Sequence, residues 1–214
     1  TLGGVLTTIA GRNGWTAAIH SSFEILKIPH LDQTGESDVH LVTRLGKTYG
    51  ATASIKSGRL VFTPKNSGRT ASGAALPAVT LRRGEGDRHN FRQTDRDGEQ
   101  SGVKAKWHDW SSGETKEELA GTEGTVDTLG RTYGSQAEAQ AAAAASLTHQ
   151  RSAAASLSLT LAYGRPELYG GAPLQLTGWR NEITTLTWIA NQVTHKIDGS
   201  GYTTEVSATT KASG

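Results

Sequence analysis

The side chains able to move protons or hold a metal come first. Seven histidines stand at His20, His30, His40, His89, His108, His149 and His195. None has a partner at HExxH spacing, and no two lie three or four residues apart on one expected helix, so a zinc-type centre is not predicted. In "WHDW", Trp107 to Trp110, His108 adjoins Asp109. Successive strand residues point to opposite faces, which keeps these two from forming an acid–base dyad. "GKT" at 46–48 has the ending of a phosphate loop, yet Leu41 stands where the loop needs glycine, and the segment has helical periodicity. No serine sits in GxSxG. Glu117 and Glu118 are neighbours and read as solvated surface, although acids distant in sequence can meet in a fold. No catalytic, cofactor-binding or metal-binding residue is assigned, no cofactor is expected, and the chain is read as not an enzyme.

The remaining candidates are surfaces. In "TGWRNE", Trp179 and Arg180 follow Gly178 at an expected strand end. An exposed pair there suits an interface, since Trp and Arg are favoured at binding hot spots. Trp188 falls in an alternating row and reads as core; His195 and Asp198 flank a hairpin turn and read as structural. Arg82, Arg83, Arg88 and Arg92 are interleaved with Glu85, Asp87 and Asp95, the pattern of a solvated strand surface rather than a nucleic-acid track.

Bulk properties narrow the class. Lys and Arg number 22 against 20 Asp and Glu, a formal charge of +2 that predicts neither nucleic acid nor an anionic membrane as partner. Hydrophobic residues make up 35 % of the 214, so the core is modest, as in subunits that finish burial against a neighbour. Without cysteine there is neither disulfide nor thiolate metal site. No apolar run approaches the roughly 20 residues that span a bilayer, and no signal-peptide pattern is visible. The chain starts at Thr1 and has no methionine, which leads us to expect a fragment or a processed product.

These residues need elements to hold them. Leu2, Val5, Leu6, Ile9 and Ala10 have helical spacing behind a Thr1 cap, and Leu41, Val42, Leu45 and Tyr49 repeat the pattern behind Ser37. "WTAAIHSSF" reads as a strand, and "ATASIKSGRLVFTP" as two strands turning at Ser57-Gly58. Residues 1–64 thus form a small α/β subdomain of two helices and a hairpin. The Gly- and Ser-rich stretch 65–75 reads as a linker. Beyond it, "PAVTLRR", "RHNFRQTD" and "GVKAKWHDW" alternate like strands, while "GETKEELAG" fits strand or helix. Ser135 to Glu138 has capping-box spacing before an Ala-rich run, giving a helix at 135–150. Leu157, Leu159, Leu161 and Tyr163 alternate, as do Leu174 with Leu176, Leu186 with Trp188 and Ala190, and Tyr202 with Thr204, Val206 and Ala208. Roughly seven strands avoid open edges most simply as a closed or nearly closed antiparallel barrel over 76–210. The fold class is α+β, mainly β.

Five blocks in order carry a resemblance: "TLGGVLTTIAGRNG", "HLDQTGESDVHLVTRLGKTYGATASIKSGRLVFTP", "YGSQAEAQAAAAASL", "LTLAYGRPELYGGAPLQLTGW" and "WIANQVTHKIDGSGYTTEVSA". Together the chain resembles the phage late control D protein family, the baseplate hub of contractile tails, and is similar to the hub part of type VI secretion spikes. The resemblance covers nearly all of the sequence. It implies a homotrimer, two tail-tube-like barrels per subunit giving a pseudo-sixfold face, and partners in the tail tube and the membrane-piercing spike protein. It implies a place in the virion tail baseplate, assembled in the bacterial host cytoplasm. Family members are longer, with a barrel before the first block and usually a tail after the last, in keeping with the missing start methionine. On this view 76–210, with the 135–150 helix, is the second barrel, and 1–64 is an insertion. Two alternatives stand beside it: a tail-associated cell-wall hydrolase, and a carbohydrate-binding barrel using Trp107, Trp110 and Trp179 as stacking platforms.

Overall fold

In the computed structural model the first helix starts where its cap stands: the Thr1 hydroxyl accepts the Gly4 amide at 3.2 Å, and α1 runs Leu2–Arg12. The structure describes residues 1–28, 30–84, 86–93, 101–152, 155–199 and 201–211. After α1 come β1 (Thr16–Ile19), α2 (Ser21–Glu24), α3 (Asp38–Thr48), β2 (Ala51–Lys56) and β3 (Arg59–Pro64). Next are β4 (Val79–Arg82), β5 (Gly86–Gln93), β6 (Gly102–Asp109), β7 (Glu114–Gly121) and β8 (Val126–Tyr133). The chain finishes with α4 (Gln136–Ser152), β9 (Ala155–Leu161), β10 (Pro173–Thr177), α5 (Asn181–Thr184), β11 (Trp188–Asp198) and β12 (Gly201–Thr210). The protein is mainly β with few helices. No helix among the described residues is long and apolar enough to cross a membrane.

By contacts the chain divides into two compact units. The first holds Thr1–Lys65, Arg69–Ala74 and Arg96–His149. Its sheet β1-β3-β2 pairs β3 parallel to β1 and antiparallel to β2. Leu2, Leu6 and Ile9 of α1 and Leu41, Val42 and Leu45 of α3 bury against Leu60 and Phe62 of the central strand. A second sheet, β7-β6-β8, packs Val103 and Ala105 under Ala139, Ala143 and Leu147 of α4. "GETKEELAG" is a strand here, β7, and β8 runs parallel to β6.

The alanines of α4 now have a physical cause. Ala139 and Ala143 lie against β6, while Ala141 packs on the α1/α3 core. Gly50, at φ +65, approaches Ala145 so closely that a Cβ on it would stand 2.9 Å from the Ala145 Cβ. A helix flanked on two sides within one unit has room for methyl groups and little more. Its N-terminus carries the expected cap, with the Ser135 hydroxyl accepting the Glu138 amide at 3.3 Å.

The second unit comprises Asn66–Gly68, Ala75–Asp95 and Gln150–Gly214, around a sheet of order β4-β10-β11-β12-β9-β5. Leu157, Leu159 and Leu161 of β9, Leu174 and Leu176 of β10, Trp188 and Val206 supply its dry face. All pairings are antiparallel except β4 with β10, which is parallel. The expectation of a wholly antiparallel set is thus corrected, because β4 joins β10 across some ninety residues rather than its sequence neighbour.

Chain connectivity requires this sheet to curl. β4 and β5 occupy opposite ends of the strand order, yet Arg82 and Gly86 are only four residues apart. A flat six-stranded sheet would hold its edges about 24 Å apart at ~4.8 Å per strand spacing. Four residues reach at most about 14 Å. The sheet is therefore a curled half-barrel. Four antiparallel steps and one parallel step separate β4 from β5, so the two run in the same direction, as two arms of one bent strand with Gly84 at φ +105 between them.

Candidate assembly interface

The structure moves Trp179 from the surface to the core. It is only 8 % exposed and belongs to the cluster of Leu176, Ile183 and Trp188. Gly178 turns the chain at φ +82, α5 follows at once, and the Thr184 hydroxyl donates back to the Trp179 carbonyl at 3.2 Å. That fold-back covers the indole. Its Nε1–H meets no acceptor among the described residues, whereas the Trp188 Nε1–H donates to the Ile183 carbonyl at 2.8 Å. Arg180 stays exposed, so of the expected pair only the guanidinium presents itself outward.

The β6–β7 turn carries the tryptophan that the surface does display. Trp110 is 80 % exposed and meets the His108 ring edge to face, centroids 4.6 Å apart. Beneath it the turn is fixed. Asp109 Oδ1 accepts the Ser111 amide at 3.0 Å and its hydroxyl at 2.6 Å, Oδ2 accepts the Lys116 ammonium at 2.5 Å, and Gly113 closes the turn at φ +71. Lys116 first, and Ser111 with it, hold the Asp109 carboxyl far below the usual range. His108 and Asp109 thus serve different neighbours and form no dyad. Trp107 is half-buried on the inner face, with Lys116 Nζ 5.7 Å from its ring centre.

The other candidates are likewise dispersed. Glu117 approaches Lys104 at 3.6 Å and Lys106 at 4.0 Å, while Glu118 accepts from the Gln136 amide at 2.9 Å. Gly46 lies in the last turns of α3, where a Cβ would stand 3.1 Å from the Ala51 carbonyl oxygen, so the glycine of "GKT" serves helix–strand packing. His195 is a strut: Nδ1 lies 3.0 Å from both the Thr204 and Tyr202 hydroxyls, and Nε2 lies 3.2 Å from the Leu168 carbonyl. It ties the segment after β9 to the β11–β12 hairpin. Among the described residues no group of three or more His, Asp or Glu side chains is placed to hold a metal ion. Arg82, Arg83, Arg88 and Arg92 are exposed; Glu85 and Asp95 lie outside the described residues.

Large apolar side chains stand out at hairpin and loop positions instead, with Ile197 83 % and Tyr163 77 % exposed. Sequence reading offered Trp110 as a stacking platform and missed Ile197 as a surface feature, since Ile197 lies in a stretch that alternates like core. The D-x-S-x-G turn chemistry at 109–113 is the sequence signal that sets Trp110 apart from Trp107 and Trp179.

A family model described as phage tail baseplate hub (GPD) matches residues 1–201. The chain belongs to this family. Among its relatives, a probable baseplate hub protein of Escherichia phage 186 is 34 % identical over all of the chain, and one of Escherichia phage P2 is 32 % identical over 96 % of it. The hub-family chain described here spans 65 % and 63 % of those two proteins, just under two thirds of their length. Solved structures agree on the fold. A tail protein from Neisseria meningitidis MC58 superposes with a TM-score of 0.64 at 16 % identity, over 96 % of this chain and 66 % of that one. A chain of the virion of a native gene transfer agent particle gives 0.58 at 17 % identity, over 98 % of this chain and 47 % of that one.

Proposed function

We propose that this chain is a structural part of a baseplate hub in a contractile phage tail, joining the tail tube to the membrane-piercing spike without catalysing a reaction. The match of residues 1–201 to the hub family carries the reading. Its place is the virion tail baseplate, and its partners are further copies of itself in a trimer, the tube and the spike protein. Within it, residues 1–64 are the small α/β subdomain, 65–75 connect, and 76–210 hold the tail-tube-like barrel. The barrel wall is β4, β5 and β9–β12, with β6–β8 and α4 inserted between β5 and β9. The bent β4–β5 strand supports a nearly closed barrel, because it brings the two ends of the strand order near each other while β4 and β5 stay unpaired with one another.

A hub works through rigid, complementary surface, and the site chemistry agrees with that demand. The hydrolase alternative needs acids that converge, and Glu117 and Glu118 turn to different partners. The stacking-platform alternative needs several exposed indoles, and of its three only Trp110 is displayed. Light scattering of the full-length protein is expected to give three subunits. A strictly monomeric particle at high concentration, or release of fragments from purified peptidoglycan, would overturn the reading.

A further inference from the structure

The sheets leave strand edges without a partner strand, and these edges differ in quality. β4 has four residues, and the Arg165 guanidinium reaches its Thr80 carbonyl at 3.4 Å. β8 is irregular: Lys104 pairs with Thr128 but Lys106 with Thr132, so three residues stand across from Ala105. Bulged or short edges are poor templates for another strand. β5 and β7 are different. Each has eight residues. β7 pairs with β6 without interruption, and β5 with β9 with one irregularity at its first residues. Each ends its sheet, so its outer edge pairs with no strand among the described residues.

Their charges are opposite. β5 carries Arg88 and Arg92 against Asp87, and both arginines are exposed without an ion pair among the described residues. β7 carries Glu114, Glu117 and Glu118 against Lys116. Lys104 and Lys106 partly offset Glu117, while Glu118 among the described residues accepts from the neutral Gln136 amide. Charged edges repel indiscriminate pairing, yet a strand of equal length and opposite sign is admitted.

We propose that β5 of one copy pairs edge to edge with β7 of the next copy. The contact joins two different patches, so it is head to tail, and it closes a ring of three when the rotation between neighbours is threefold. Main-chain hydrogen bonds supply the attraction, and the arginine–glutamate match selects the partner. This inference rests on the trimeric hub reading and names the surface that forms the trimer.

The test uses the full-length protein. Arg88→Glu with Arg92→Glu is expected to weaken self-association at least tenfold in light scattering, with an unchanged circular dichroism spectrum. These 214 residues contain no cysteine, and with any cysteine outside them changed to serine a second arm stands even if that variant misfolds. Asn90→Cys protein is mixed under mild oxidation with Thr115→Cys, Glu117→Cys or Leu119→Cys protein, a panel that spans the register. A disulfide-linked dimer is expected in at least one mixture and in no single-variant sample. A trimer that survives charge reversal in a folded variant, or no cross-link in any mixture, overturns the edge pairing and leaves the hub reading standing. A monomeric wild-type protein defeats both.

Discussion

At the scale of single residues, several titratable groups have partners that fix their charge. Asp109 is held ionised by Lys116 and Ser111, Asp38 by Gln33 and Asn13, and Glu36 by Arg44. Each has a folded pKa below its unfolded value, so its contribution is complete above the ordinary carboxylate range and is lost as pH falls through the folded value. Asp109→Asn is expected to flatten the acid side of a plot of urea midpoint against pH below about pH 4; an unchanged acid limb would contradict the network. Tyr49 behaves oppositely. Burial first, then Glu138, pushes its phenol up to about 12 from 10.0. Its contribution is present below the unfolded value and is lost as pH rises between those limits. Tyr49→Phe should therefore resist alkaline unfolding better than wild type, read by circular dichroism from pH 9 to 12.

At the scale of elements, α4 is the most constrained. Leucine at position 143 must fit where Ala143 is 0 % exposed beside Val103 and Ala105. Overpacking of this kind costs about 1–3 kcal/mol. We expect Ala143→Leu to lower the melting temperature, while Trp110→Ala, which removes an exposed side chain, stays within about 0.5 kcal/mol of wild type. Chemical denaturation of the two variants checks both numbers. The elements also show where the sequence was informative. Thr1, Ser37 and Ser135 cap their helices as read, because a cap is a matter of three or four neighbouring residues. Alternation likewise placed Leu157, Leu159 and Leu161 on one face. It could not place β4 beside β10 or β8 beside β6, since a row of side chains defines a face and says nothing about which strand adjoins it. Trp179 failed for a related reason: its burial depends on α5 folding back, a four-residue helix with no side-chain cap to announce it.

At the scale of the molecule, the described residues form distinct buried clusters. Leu157, Leu159, Leu174 and Val206 belong to the six-stranded sheet, and none shares a cluster with α1, α3 or α4. Two compact units with their own cores are expected to unfold in two transitions. Leu159→Ala, costing about 2–5 kcal/mol, should lower one, and Ala143→Leu the other. Calorimetry decides the matter, and a single transition that both substitutions shift equally would refute independence. Of the assembly, the sequence carried the hub-family resemblance through its ordered blocks. The edges of β5 and β7 emerged only with the sheet order, because an unpaired strand and a paired one can have the same composition.

The short span from Arg82 to Gly86 has a mechanical meaning. A load that tries to flatten the curled sheet must draw β4 and β5 apart, and those strands are tethered by peptide bonds rather than by a seam of weak contacts. The curled wall therefore has one covalent tie between its outermost strands.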